Sequence, residues 1–238
     1  MGTVIAKGAC PAKKCGSHDA YMEYADGGGH CFSCGYHKPA NGYKVLLANA
    51  CIISADRGIS LPDSRTYDLP KKAVDWLRKY SITDEEIDRH NICYSMGKEL
   101  LVFPVYSSTG QLVMWQGRYF GDNKKHPKYI TRGEVDSTLH IIGAAKADFI
   151  VLTEDLISSI KVGRHYPAMP LWGSFLSFTV ARRLAVLYRR AKLFLDYDKR
   201  TQSMLMATRN SHLLKITPVI ERLDPKEYTD TELVEILS

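Results

Sequence analysis

The sequence predicts an α/β protein, α+β overall, in which a small metal-stapled N-terminal module precedes a larger core that ends in a parallel sheet. Three observations carry this reading. Cys10, Cys15, Cys31 and Cys34 form two pairs within the first thirty-four residues. From residue 148 onward, short apolar runs alternate with amphipathic stretches, the pattern of strands covered by helices. Acidic residues follow those runs, Glu154 with Asp155, Asp196 with Asp198, and then Asp224, and ligands of parallel sheets sit beyond the carboxyl ends of the strands.

The four cysteines flank a glycine-rich turn, Asp26-Gly27-Gly28-Gly29, in the pattern of a zinc ribbon. Each pair sits on a tight knuckle, and four thiolates converge on one tetrahedral ion. A module this small cannot fold on apolar burial, so metal binding supplies its folding free energy. Two disulfides, or four unrelated thiols, are the alternative, and context weighs against it, since the N-terminus leads into the motif with no secretory signal. His18, His30 and His37 read as surface or supporting groups rather than ligands, and Cys51 and Cys93 as small buried hydrophobes.

The chain has 238 residues, 45% of them hydrophobic, enough for the ribbon and one domain with a core. The longest apolar run, residues 45–55, is too short to span a membrane, so a soluble protein is expected. A net charge of +6, from 32 Lys and Arg against 26 Asp and Glu, permits a nucleic-acid partner without requiring one.

Residues 39–70 carry Pro39, Gly42, Gly58 and Pro62 and read as a linker. Val74, Leu77 and Tyr80 at spacing three predict a helix over 71–80. Ser81 or Thr83 then caps a second helix over 84–90, whose first turn is acidic. Residues 100–106 and 111–118, joined by Ser-Ser-Thr-Gly, predict a hairpin, and Pro104 argues for an edge strand. A polar loop is expected over 121–136, with Lys124, Lys125, His126, Lys128, Tyr129 and Arg132 close together. Basic residues interleaved with an aromatic can hold phosphates and stack a base, although composition alone fits a solvated loop better.

The remaining strands are expected over 149–153, 169–172, 192–195 and 215–220, with helices over 156–162 and 177–190. On the second helix Arg182, Arg183, Arg189 and Arg190 would form a basic ridge opposite Val180, Leu184 and Leu187, either a solvated face or a track for phosphates. Asp196 and Asp198, two apart on an extended segment, would point the same way and share a magnesium ion. An isolated Asp-x-Asp is more often a pair of solvated acids, but this one follows a buried strand.

Together these parts resemble the zinc-ribbon and TOPRIM primases, above all the primase half of phage primase-helicases and, more distantly, DnaG-type primases. The resemblance rests on Cys15-Gly-Ser-His-Asp-Ala20 with Cys31-Phe-Ser-Cys34, on Leu101-Val-Phe-Pro-Val-Tyr106 with Gln116-Gly-Arg118, and on Pro127-Lys-Tyr-Ile-Thr-Arg-Gly133. Thr153-Glu154, Trp172-Gly-Ser174, Leu195-Asp-Tyr-Asp198 and Leu223-Asp-Pro-Lys226 then follow in TOPRIM order. It covers nearly the whole chain, and its weight lies in the order of the motifs. One position departs from the pattern: the acid usually found four residues after the first glutamate is Ser158, and Asp155 projects elsewhere.

The resemblance implies a zinc ribbon over 1–38, a linker over 39–70, an N-terminal part of an RNA polymerase core over 71–147 and a TOPRIM part over 148–238. It implies synthesis of short RNA primers on a single-stranded DNA template from ribonucleoside triphosphates, with two magnesium or manganese ions at Glu154, Asp196, Asp198 and Asp224. Glu154, Asp196 and Asp198 would be catalytic. Arg118, Lys124, Lys125, Lys128, Tyr129 and Arg132 would bind substrate and DNA, and one structural zinc would sit on Cys10, Cys15, Cys31 and Cys34. No phosphate-binding helicase loop occurs in the sequence, which predicts a stand-alone enzyme with a separate replicative helicase and DNA polymerase. A cytoplasmic location is expected, that of the host cell if the chain is phage-encoded. A catalytically silent single-stranded DNA-binding or replisome-adaptor protein is the alternative. A TOPRIM nuclease or topoisomerase ranks third, for want of a recognisable tyrosine nucleophile.

Overall fold

The structure, a computed structural model, describes residues 4–12, 15–24, 28–34, 36–38, 58–137, 139–143 and 147–238. The chain divides into two compact units, residues 1–55 and 56–238. Cys51 and most of the predicted linker lie outside the described residues.

The first unit is a four-stranded antiparallel sheet, β1 (Val4–Gly8), β2 (Tyr21–Tyr24), β3 (Gly29–Cys31) and β4 (His37–Lys38), in sequence order. A Cβ at Gly29 would lie 2.0 Å from the Tyr21 hydroxyl oxygen, so a larger residue there would require the Tyr21 ring to move.

The second unit begins with β5 (Arg65–Thr66), α1 (Lys71–Lys79) and α2 (Asp84–Arg89). Ser81 adopts a left-handed φ of 59° where α1 ends, and Thr83 opens α2. The Thr83 hydroxyl accepts the Glu86 N–H at 3.2 Å while the Glu86 carboxylate accepts the Thr83 N–H at 2.9 Å, a reciprocal cap. An antiparallel sheet follows, ordered β5-β6-β7-β8-β9, with β6 (Cys93–Ser95), β7 (Leu100–Tyr106), β8 (Leu112–Tyr119) and β9 (Tyr129–Gly133). Cys93 is buried, as its sequence context predicts.

Two expectations fail in this sheet. β7 is central rather than an edge; Pro104 is accommodated because β6 pairs only with residues 100–102, so no neighbour seeks a donor at Pro104 on that side. The expected loop over 121–136 is partly strand, since β9 pairs along residues 114–118 of β8 and fixes Tyr129 opposite Arg118.

The last region is a parallel sheet ordered β11-β10-β12-β13, from β10 (Phe149–Thr153), β11 (Ala168–Pro170), β12 (Arg190–Phe194) and β13 (Lys215–Pro218). Period-two alternation sorts its side chains between two covers. Ile150, Leu152 and Leu193 pack toward α4 (Phe178–Leu187) and α5 (Arg200–Asn210). Val151 and Phe194 pack toward α3 (Leu156–Gly163) and α6 (Asp230–Leu237). The helix expected over 177–190 stops at Leu187, because Tyr188 turns extended and Arg190 already starts β12. The four-arginine ridge therefore does not form, Arg190 pairs with Asp148 at 2.6 Å, and Leu187 is exposed.

α3 joins the two sheets. Its Leu156, Ile157 and Ile160 enter the same core as Leu77, Ile87, Leu101 and Phe103 from the antiparallel half. Arg164, at the end of α3, donates two parallel bonds to Glu86 (both 2.8 Å) and reaches Asp230 at 3.0 Å, clamping α2 to α6. Burial raises the Glu86 pKa, but the Arg164 fork outweighs it and holds the carboxyl below its ordinary value.

Removing the guanidinium leaves Glu86 charged and desolvated, so Arg164→Ala is expected to lower unfolding stability by about 3 kcal/mol in a denaturant titration. His140 sets an acid limit: burial, with help from nearby His90, depresses its pKa to about 4. A group depressed in the folded state is protonated first in the unfolded chain, so stability should fall as pH drops from about 6.5 toward about 4. His140→Phe should flatten that part of the stability–pH curve.

Candidate acidic cleft and cysteine metal centre

In the first unit the Cys10–Cys15 turn joins β1 to β2 and the Cys31–Cys34 turn joins β3 to β4. Backbone bonds shape both knuckles: Cys15 N–H to Ala12 O at 2.9 Å, and Cys31 N–H to Tyr36 O at 2.8 Å. Sγ–Sγ distances are 3.7 Å for Cys10–Cys34 and for Cys15–Cys31, and all four sulfurs lie within 4.8 Å of one another. A tetrahedron with metal–sulfur bonds of about 2.3 Å has edges of about 3.8 Å, so the quartet matches one zinc ion. The Cys31 thiol is drawn down to about 7, because N–H bonds from Cys34 and Ser33 and the neighbouring thiols outweigh the effect of burial. His18 is exposed and His30 stacks edge-on against Phe32, so neither belongs to the quartet.

In the second unit a cleft of about 250 Å³ opens where the C-terminal ends of β10 and β12 face β8 and β9. Glu154, Asp155, Asp196 and Asp224 line it together with Arg118, Lys128, Tyr129 and Lys226. Arg118 is held by a 2.8 Å bond to the Tyr129 hydroxyl and lies 4.4 Å over the Trp76 ring. Gln116 donates at 3.2 Å to the backbone oxygen of Trp172, itself in a left-handed conformation (φ 58°), and so ties the antiparallel sheet to the cleft floor. Gly173 N–H in turn bonds Glu154 O at 3.0 Å.

The acids are arranged differently from the expectation. β12 ends at Phe194 and the chain turns at once into a 3-10 helix, so the extended geometry that would align Asp196 with Asp198 is absent. Asp196 faces the cleft, whereas Asp198 is exposed and pairs with Lys199 at 2.7 Å. Asp155, set aside on sequence grounds, does enter: one oxygen caps α3 at Ser158 N–H (2.8 Å) and the other meets Lys226 Nζ at 2.9 Å. Lys226, quoted in a motif but assigned no role, binds Asp196 and Asp224 as well, at 2.9 and 3.1 Å. Its only advance signal was a lysine after Asp-Pro, just beyond a strand. Lys124, Lys125 and Arg132 are exposed outside the cleft lining, and Ser158 is fully buried with a hydroxyl that finds no partner.

Burial raises the Asp196 pKa to about 7 against the pull of Lys226, and it also raises Glu154. Glu154 has one buried carboxylate oxygen, Oε2, without a hydrogen-bond partner. Such an orphaned acceptor suits a hard divalent cation, which takes one or two carboxylates and completes its shell with water and phosphate. The residues fit one such ion against Glu154. They do not fit two, because Asp198 is turned away, Ser158 stands where an acid was expected, and Lys226 already occupies the space between the other acids.

No protein-family model matches the chain, and no curated protein matches its sequence. Among solved structures it is similar to the DnaG primase catalytic domain bound to single-stranded DNA, at 16% identity over 71% of this chain and 75% of that one, with a TM-score of 0.53. The zinc-binding and RNA polymerase domains of the Aquifex aeolicus primase match at 18% identity over 73% of this chain, with a TM-score of 0.49. The primase fragment of the bacteriophage T7 primase-helicase matches at 16% identity over 99% of this chain and 98% of that one, with a TM-score of 0.49. This chain spans half the length of the Aquifex chain. The core thus has the fold of a primase catalytic domain.

Treating the zinc-loaded protein with a chelator is expected to unfold the four-stranded cysteine module and leave the thermal transition of the second unit unchanged. Metal analysis should find one zinc per chain, lost on Cys31→Ser.

Proposed function

We propose that this chain, on a primase-type fold, synthesises short RNA primers on single-stranded DNA. The observation that supports it best is the cleft itself, with half-buried carboxylates beyond parallel strands on one wall and Arg118, Lys128 and Tyr129 on the other. Primer synthesis needs both: negative groups at the reacting oxygen and positive groups on the triphosphate. The 3′-hydroxyl oxygen of one nucleotide forms a bond to the α-phosphorus of the next, the bond to pyrophosphate breaks, and the hydroxyl proton passes to a base. Glu154 suits that base, since burial raises its pKa toward the working range. One magnesium or manganese ion against Glu154 would neutralise charge on the reacting phosphate. Arg118, immobilised between Trp76 and Tyr129, can fork onto a phosphate, and the exposed ammonium of Lys128 can follow the triphosphate as a point charge. The cysteine module would read the template and retain the nascent primer. A replicative helicase and DNA polymerase on separate chains would complete the assembly, in the cytoplasm of a host cell if the chain is phage-encoded.

The test is an assay with four ribonucleoside triphosphates, magnesium or manganese, and a panel of single-stranded templates, with products resolved by length. Glu154→Gln and Asp196→Asn should each reduce product at least about 100-fold. Single-stranded DNA binding should persist, and Lys128→Ala should mainly raise KM for the triphosphate. No oligoribonucleotide from the wild type on any template, with salt-sensitive DNA binding retained, would overturn the enzyme and favour a binding or adaptor protein.

A further inference from the structure

The Lys226 side chain is 9% exposed, and its ammonium is bonded on every side by acid. An ammonium carries three N–H donors, and here three carboxylates surround it: Asp155 and Asp196 accept hydrogen bonds, each at 2.9 Å, and Asp224 forms an ion pair at 3.1 Å. The opposite oxygens of two of these acids are also committed. Asp155 Oδ1 accepts Ser158 N–H at 2.8 Å, and Asp224 Oδ1 accepts Tyr197 N–H at 3.0 Å. Asp196 gives both oxygens to Lys226, at 3.2 and 2.9 Å. Only Glu154 Oε2, among the buried carboxylate oxygens of the cleft, is left without a partner.

Lys226 is also held from behind. Pro225 starts its short 3-10 turn, and Glu227 accepts the Asp224 N–H at 3.3 Å. The buried Lys161 ammonium donates to the backbone oxygens of Lys226 (3.1 Å) and Tyr228, so the turn is fastened to α3. A cation fixed in this way differs from an exchangeable ion in having no vacant coordination position and no dependence on metal concentration.

We infer that the Lys226 ammonium takes the place of one of the two divalent cations expected in such a cleft, leaving a single exchangeable divalent ion against Glu154. Four acids line the cleft, and Lys226 neutralises part of that charge permanently. A second divalent ion among Asp155, Asp196 and Asp224 would have to displace the ammonium or sit beside it against Coulomb repulsion. This reading rests on the cleft being a nucleotidyl-transfer site, but ion binding can be counted without any turnover.

The experiment is a manganese titration of the zinc-loaded full chain, followed by electron paramagnetic resonance in the absence of nucleotide. One manganese per chain is expected for the wild type and none for Glu154→Gln. Lys226→Gln should bind a second manganese, or bind the first at least tenfold more tightly, and manganese should raise its melting temperature more than that of the wild type. A wild type that holds two ions or none overturns the inference, as does a folded Lys226→Gln with unchanged binding. If Lys226→Gln does not fold, the wild-type and Glu154→Gln counts decide alone. A wild type that binds one ion yet makes no primers overturns the proposed function and leaves this inference standing; one that makes primers with two ions bound does the reverse.

Discussion

Three carboxylates from three separate loops converge on one buried ammonium, and the geometry of the cleft follows from that constraint. Asp155, Asp196 and Asp224 crowd one partly buried spot, where like charges repel strongly unless a cation lies between them. Lys226 relieves the repulsion and draws together the ends of β10 and β12 and the turn beyond β13. The lysine is in turn unable to leave water without those acids. Each group is tolerable in its place only because the others are present.

The chain around this cluster serves to hold it still. α3 contributes at both ends: its N-terminal N–H groups take one oxygen of Asp155, and the Lys161 ammonium pins the turn that carries Lys226. The same helix packs Leu156, Ile157 and Ile160 into the core of the antiparallel half. Its Val162 enters the core on one face of the parallel sheet, so α3 bridges two separate apolar clusters, and the Gln116 bond to Trp172 O joins the two sheets again at the cleft floor. Arg118 and Tyr129 face the acids because β8 and β9 pair in a register that sets those two residues opposite each other.

The two candidate cation sites follow opposite designs. In the cysteine quartet the ligands are local in sequence, two per knuckle, and all four sulfurs lie within 4.8 Å of one another. In the cleft the carboxylate oxygens of Asp155, Asp196 and Asp224 are already spent on N–H groups and on an ammonium, and the Glu154 carboxylate is left. The first arrangement suits an ion that supplies folding energy, the second an ion that exchanges.

Features set by neighbours in sequence were legible from the sequence alone. The cysteine pairs, the Thr83 cap, the α1 and β10 boundaries and the placement of acids after apolar strands depend on local spacing, propensity and period, which a single chain displays. The errors arose where a local rule met a tertiary demand. Pro104 sits in a central strand because its neighbour is short, α4 ends early because β12 must start, and Asp198 turns outward because the strand ends before it. The partnership of Asp155 with Lys226 spans 71 residues, and that of Gln116 with Trp172 spans 56. Those contacts exist only once the parallel sheet is assembled and its strand ends are brought together, so the sequence determined which charged groups were available and the tertiary structure decided which of them meet.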